Sequence, residues 1–189
     1  MRVITGTAGG TNLKAPKGLS TRPTADKVKQ ALFNIIQYEI AGEVLDLFAG
    51  SGQLGIEALS RGASHAVFVD EGREAISVIQ ENLRHTRLES KAQVVRSDYL
   101  SYLSRCRRSF RLIFLDPPYA EKYLENAIKC ISEIDILAEG GIIIAERPVD
   151  KALDQEFPGL VRSKDYRYGS TVITLFRRQQ DVLREEGED

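Results

Sequence analysis

Apolar residues along this chain recur in two alternating rhythms. The runs Val44-Leu45-Asp46-Leu47-Phe48, Ala66-Val67-Phe68-Val69, Ala92 to Arg96 and Leu112-Ile113-Phe114-Leu115 are continuous enough to be buried strands. Elsewhere the spacing becomes that of a helix face. Val28, Ala31, Leu32, Ile35 and Ile36 form one stripe behind Thr24, a fair N-cap. A helix through Ala58 and Leu59 follows a glycine turn, and Ile76, Ile79 and Leu83 mark the next. Leu124, Ile128, Ile131 and Ile134 mark another, ahead of a fifth strand at Gly141 to Ala145. Strands alternating with helices predict βαβ units and a mostly parallel sheet. Leu160 to Tyr168, Gly169 and Thr171 to Phe176 break the alternation and read as a hairpin, whose strands pair antiparallel when adjacent. The predicted fold class is therefore α/β: a doubly wound, mostly parallel sheet ending in an antiparallel hairpin. Residues 1–180 are expected to form one domain, opening with a β-rich arm over residues 1–20. Residues 181–189 are expected to be an acidic, flexible tail.

Composition narrows the class without naming a chemistry. At 189 residues, 42% hydrophobic and 28% charged, the chain has the makeup of a soluble globular domain. Met1-Arg2-Val3-Ile4 begins no apolar leader, and the run near Ile142-Ile143-Ile144-Ala145 is far too short to span a bilayer. A cytoplasmic protein without a membrane partner is expected. Cys106 and Cys130 have neither CxxC nor metal-ligand spacing, so neither a disulfide framework nor a metal site is expected. A net charge of −1 excludes a generally basic nucleic-acid binder. Through residue 30, however, Arg2, Lys14, Lys17, Arg22, Lys27 and Lys29 face one acid, Asp26. That is either a local basic face or a solvated, lysine-rich start.

Chemistry concentrates where strands end. Asp116-Pro117-Pro118-Tyr119 follows an apolar strand that two prolines forbid to continue. The carboxyl edge of an open α/β sheet is where ligands bind. There a carboxylate and a backbone carbonyl can accept from an amine while a tyrosine stacks on its ring. The same four residues would also serve as a strand stop with a surface acid and a packing tyrosine. Asp46-Leu47-Phe48-Ala49-Gly50-Ser51-Gly52-Gln53-Leu54-Gly55 places a GxGxxG between strand and helix, a turn shared by nicotinamide, flavin and S-adenosylmethionine sites. Asp70 ends the second strand 24 residues after Asp46, followed by Glu71, near where an acid meets a ribose. Ser97-Asp98 follows the third strand, where a side chain could accept from an adenine amine. Asp70 and Asp98 could also simply cap helices. Asp46 inside the strand would repel a pyrophosphate but suits a ligand with an amino-acid moiety, favouring S-adenosylmethionine over nicotinamide.

Three segments together resemble the RsmD family, bacterial methyltransferases that modify guanine N2 in 16S ribosomal RNA. They are Asp46 to Gly52, Asp116 to Tyr119, and Thr21-Arg22-Pro23-Thr24-Ala25-Asp26-Lys27-Val28 followed by Ala31-Leu32-Phe33-Asn34. The likeness runs from Arg2-Val3-Ile4 to Tyr168-Gly169. It implies a class I methyltransferase fold and S-adenosylmethionine as donor, leaving S-adenosylhomocysteine as product. It also implies 16S rRNA, within a partly assembled small ribosomal subunit, as partner. Carried onto this chain, Asp116, Pro117, Pro118 and Tyr119 become the catalytic residues. Asp46, Phe48, Ala49, Gly50, Ser51, Gly52, Asp70, Glu71 and Asp98 become the cofactor site. The chain departs from the family at Gly9-Gly10-Thr11-Asn12, where arginines are frequent, and at Gln53, where a small residue is common. RNA contact then falls to Arg22, Lys27, and Tyr166 and Arg167 of the hairpin.

Methyl transfer from a sulfonium is an in-line displacement that needs positioning more than proton chemistry. His65 and His85 lie apart, and neither cysteine has the setting of a covalent nucleophile. Arg105, Arg107 and Arg108 precede the fourth strand and so belong at its amino end, as a solvated turn. Other readings are DNA adenine-N6 methylation, a nicotinamide-dependent oxidoreductase, and a non-catalytic ribosome-assembly factor.

Overall fold

The computed structural model describes residues 1–17, 23–118, 122–153 and 156–187. The expected RNA contact Arg22 and the expected stacking residue Tyr119 lie outside the described residues. The first helix, α1, spans Pro23–Ile35. It begins one residue before the expected cap, with proline at a first-turn position where a missing N–H costs nothing. Then come β1 (Glu43–Asp46), α2 (Gln53–Ser60), β2 (His65–Asp70), α3 (Arg73–Thr86) and β3 (Ala92–Arg96). These are followed by α4 (Tyr99–Arg105), β4 (Phe110–Leu115), α5 (Tyr123–Ile134) and β5 (Leu137–Pro148). The hairpin strands β6 (Leu160–Tyr168) and β7 (Thr171–Arg178) lead into α6 (Gln179–Gly187).

The seven strands form one sheet in the order β3-β2-β1-β4-β5-β7-β6. β3 to β5 run parallel, and β7 and β6 join antiparallel. Chain order reverses between β1 and β4, which makes their carboxyl ends the topological switch point. Alternate strand residues feed two apolar layers. Val44, Phe68, Leu112, Phe114, Ile142 and Ile144 pack with Phe33 and Leu32 of α1 and Ile56 of α2. Leu45, Val67, Ile113 and Ile143 pack with Leu103 of α4 and Ile128 and Ile131 of α5. Full burial of side chains of this size stabilises by roughly 1.5–3 kcal/mol each. No helix among the described residues is long and apolar enough to cross a membrane.

Three expectations are corrected. The arm is not β-rich: a single isolated bridge, Arg2 to Asn12, is its only pairing among the described residues. Its amides divide between backbone carbonyls within the arm, as in Val3 N to the Thr11 carbonyl at 2.9 Å, and side chains of α2. Glu57 accepts from Ile4 N at 2.7 Å and Thr5 N at 3.1 Å, and Ser60 Oγ accepts from Ala8 N at 2.9 Å. The tail does not loosen at residue 181, because α6 continues to Gly187 and Asp181 Oδ2 accepts from Gly140 N at 2.8 Å. Finally, Leu47 and Phe48 leave the strand, since β1 ends at Asp46 where the glycine turn begins. Helix α4 was not evident in the apolar pattern, because seven residues give barely two turns of stripe. The arginines ahead of β4 do sit at the amino edge, though Arg108 is ion-paired as well as solvated. Its guanidinium donates to Glu43 and Gln93, each at 2.9 Å, and lies 3.2 Å from His65 Nδ1.

Candidate active site

Loops leaving β1, β2, β3 and β4 all open on one cavity of about 660 Å3 at the carboxyl edge of the sheet. Its walls carry the carboxylates of Asp26, Asp46, Asp70, Glu71, Asp98, Asp116 and Glu146. Among the described residues no lysine, arginine or histidine lines it. Such a cavity attracts positive charge and repels phosphate.

Asp46 is 2% exposed, and its Oδ2 accepts from Gly55 N at 3.0 Å. Burial pushes its pKa to about 7, against the opposing pull of that hydrogen bond and with a further push from Asp70. The Asp116 carboxyl is raised well above the ordinary range, first by burial and then by the negative charges of Glu146 and Asp46. Asp70 is differently employed. Its Oδ2 accepts from Gly50 N and its Oδ1 from Gly72 N, both at 2.8 Å, so it braces the glycine turn while lining the cavity. Asp98 serves doubly too: it caps α4 by accepting from Ser101 N at 2.9 Å and also faces the cavity. Its hydrogen bonds with Ser101 hold its carboxyl below the usual range.

The glycine turn works as close packing. Gly52 has φ +77, and a Cβ there would meet Ile79 and Ile56 at 3.3–3.4 Å. Gly52 is the one cofactor-site candidate not found in the cavity wall; it shapes the turn from behind. A Cβ on Gly55 would lie 2.3 Å from the Phe68 ring, so the third glycine seats α2 on β2. Phe48, Ala49, Gly50 and Ser51 line the cavity, and so do Pro117 and Pro118.

Several lining residues escaped the motif reading. Phe48 joins Tyr99 and Tyr123 in an aromatic cluster, with ring centroids 5.2 Å apart for Phe48–Tyr99 and 5.6 Å for Tyr99–Tyr123. Asp26 reaches the cavity from α1 and Glu146 from β5. Glu146 was open to detection, being an acid directly after the apolar run Ile142-Ile143-Ile144-Ala145. Gln53 contributes a buried side-chain oxygen without a hydrogen-bond partner among the described residues. Lys27, Tyr166 and Arg167 do not line the cavity. The hairpin does reach the same sheet edge, since Tyr168 pairs with Thr171 and Thr171 with Pro148.

Carboxylates, an unpartnered amide oxygen and aromatic faces fit a cationic ligand with a flat ring, and fit a pyrophosphate poorly. This sheet order, with such a cavity at its switch point, defines a class I methyltransferase. Over residues 1–177 the chain matches the family model described as Conserved hypothetical protein 95. The chain belongs to this family, the RsmD family of rRNA methyltransferases. It is 44% identical over 183 residues to "Putative rRNA methyltransferase YlbH" of Bacillus subtilis, covering 95% of this chain and 100% of that one. It is 35% identical over 180 residues to "Ribosomal RNA small subunit methyltransferase D" of Escherichia coli, covering 95% and 90%. The solved structure "Putative methyltransferase yhhF from Escherichia coli" superposes with a TM-score of 0.85 at 30% identity, covering 94% of this chain and 97% of that one.

Proposed function

We propose that this protein methylates the exocyclic N2 amine of a guanine in 16S ribosomal RNA, with S-adenosylmethionine as donor. One observation carries the reading: the Asp116-Pro117 turn opens on a cavity lined by acids and, among the described residues, by no basic side chain. S-adenosylmethionine supplies a methyl group on a cationic sulfonium. Asp46 and the Gln53 oxygen suit its amino-acid end, Glu71 and Asp70 its ribose, and Asp98 with the Phe48–Tyr99–Tyr123 cluster its adenine. Seven acids around the cavity among the described residues favour a cation over a neutral or anionic ligand.

The guanine amine is a poor nucleophile because its lone pair is delocalised into the ring. Asp116 Oδ and the Pro117 carbonyl each accept one of its N–H bonds, which holds the nitrogen pyramidal and aims the lone pair inward. Two acceptors fix two directions, so the amine is placed rather than deprotonated. The cationic product is acidic and loses its proton after transfer. Tyr119 stacks on the base, a contact worth roughly 1–3 kcal/mol in single-strand binders. Reaching a base edge in this way requires an unpaired or flipped nucleotide.

The test is methyl transfer from labelled S-adenosylmethionine to small subunits lacking their native guanine-N2 methylations, followed by nucleoside analysis. Label in N2-methylguanosine with the wild type, and none with Asp116→Ala, is the expected result. Label in N6-methyladenine, or none despite donor binding, would sink the substrate assignment.

A further inference from the structure

A second cavity, of about 390 Å3, lies beside the first. The two share Pro117, Pro118 and Glu146 in their walls. Its size is within the roughly 300–1,000 Å3 range of small-molecule sites. Its chemistry differs in sign from its neighbour's. Among the described residues Lys122, Arg147 and Lys151 line it beside Glu125 and Glu146, and Pro148, Leu124 and Leu153 add an apolar floor.

The three cations are not equivalent. Arg147 is 7% exposed, and all arms of its guanidinium point into the protein. Nε donates to Thr174 Oγ1 at 3.2 Å, Nη2 to Asp165 Oδ2 at 2.8 Å, and Nη1 to the Lys151 carbonyl at 2.8 Å. Arg147 therefore holds the backbone that carries Lys151 and spends its charge on Asp165. Lys122 and Lys151 are exposed at the cavity mouth. The hairpin turn borders the same corner, where Val149 N donates to the Ser170 carbonyl at 2.9 Å.

A base that enters the first cavity brings a phosphodiester on either side. The carboxylates there repel it. The strand must leave toward positive charge, and the second cavity adjoins across the proline turn. We infer that this cavity seats the nucleotide next to the methylated base, its phosphate on Lys122 and Lys151 and its sugar and ring over the prolines. The inference rests on the RNA substrate proposed above.

The test measures steady-state methyl transfer to that RNA substrate across a salt series, with donor affinity measured separately by calorimetry. Lys122→Ala and Lys151→Ala are each expected to raise the RNA KM severalfold. Each should also flatten the dependence of log KM on log salt by about 0.7, the increment for one lost single-strand phosphate contact. The value of kcat at saturating RNA and the S-adenosylmethionine affinity should stay at wild-type levels. Lys122→Arg and Lys151→Arg should restore KM, and Lys129→Ala, an exposed lysine of α5 outside the cavity, should leave it unchanged. A double alanine variant with wild-type KM and salt slope overturns the inference. So does an equal loss in Lys129→Ala, which would reveal only net charge, or a loss that travels with donor affinity. Wild-type protein that binds donor but methylates no RNA overturns the proposed function and this inference together, before any variant is made.

Discussion

Asp116 and Glu146 each lie one residue beyond a cross-strand pair, Leu115 with Ala145, on adjacent parallel strands. The register brings two acids to one corner of the sheet, where Glu146 is the largest charge acting on Asp116. Asp116 accepts from the amine more strongly as a carboxylate than as a neutral acid. Asp116→Asn is expected to reduce single-turnover methyl transfer on the order of 10²-fold, the scale of losing one preorganised group at a reacting centre. Glu146→Gln removes a like charge, so the Asp116 pKa falls and the acid limb of the rate profile moves to lower pH. A single-turnover pH series on both variants checks this; an unmoved limb in Glu146→Gln would break the link.

Asp46 makes the unliganded protein pH-sensitive. Its carboxyl rises from 3.8 to about 7 on folding, so between those values the native state holds more protons than the unfolded chain. Stability contributed by this group therefore declines as pH rises through that window, and the penalty is complete above the folded value. Asp46→Asn, whose amide oxygen can still accept from Gly55 N, should be more stable than wild type at pH 8 and nearly equal at pH 4. Urea unfolding at the two pH values measures the difference.

The same proton links to donor binding. A cationic ligand beside Asp46 favours the ionised carboxylate, so binding releases a proton below the folded pKa of about 7. S-adenosylmethionine affinity should strengthen as pH rises from 5.5 to 8, and Asp46→Asn should abolish most of that dependence while weakening binding. Calorimetry in buffers of different ionisation enthalpy reads the proton count directly.

Gly55→Ala tests the seat of α2 on β2. The added Cβ would stand 2.3 Å from Cε1 of the fully buried Phe68 ring, so either the ring or the helix must move. Overpacking of this kind costs roughly 1–3 kcal/mol. A lower denaturation midpoint together with weaker donor affinity is expected, because the displaced helix carries Gln53 into the cavity wall.

The arm over residues 1–13 is pinned by a buried charge cluster. Glu57 is 0% exposed, and Lys29, 2% exposed, lies 3.9 Å from it and donates to the Arg2 carbonyl at 2.6 Å. Glu57→Ala should cost roughly 3–5 kcal/mol, since it removes the buried carboxylate beside the Lys29 ammonium and leaves it the half-exposed Asp26 at 3.9 Å. Lys29→Met in that background should recover part of the loss, as a double-mutant cycle in urea would show.

Local rules carried much of this protein. Strands β1 to β5 and helices α1 to α3 and α5 were legible because an apolar run and a 3.6-residue stripe are properties of neighbouring residues. The acids at the ends of β1, β2, β3 and β4 were legible for the same reason: Asp46 and Asp70 are the last residues of their strands, and Asp116 and Asp98 follow theirs by one and two positions. Helix α4 left too short a stripe, and α6 looked like solvated tail until Asp181 met Gly140. The arm's glycines and threonines read as strand, yet the amides of Ile4, Thr5 and Ala8 donate to Glu57 and Ser60, more than fifty residues away.

The sequence by itself determined the class of fold, its alternation of strands and helices with a closing hairpin, and the strand-end carboxylates that suggest a cationic ligand. It did so because period and chain direction are written locally. Only the tertiary structure decided the sign of the cavity, by bringing Asp26 from α1 and Glu146 from β5 to the same wall. Only it made Asp46 a weak acid, since desolvation depends on what surrounds a group and not on what precedes it. It alone separated Arg147, spent inside the fold on Asp165 and Thr174, from Lys122 and Lys151 at a cavity mouth. Three basic residues look alike in a sequence; burial, which arises only when distant segments pack, sets them apart.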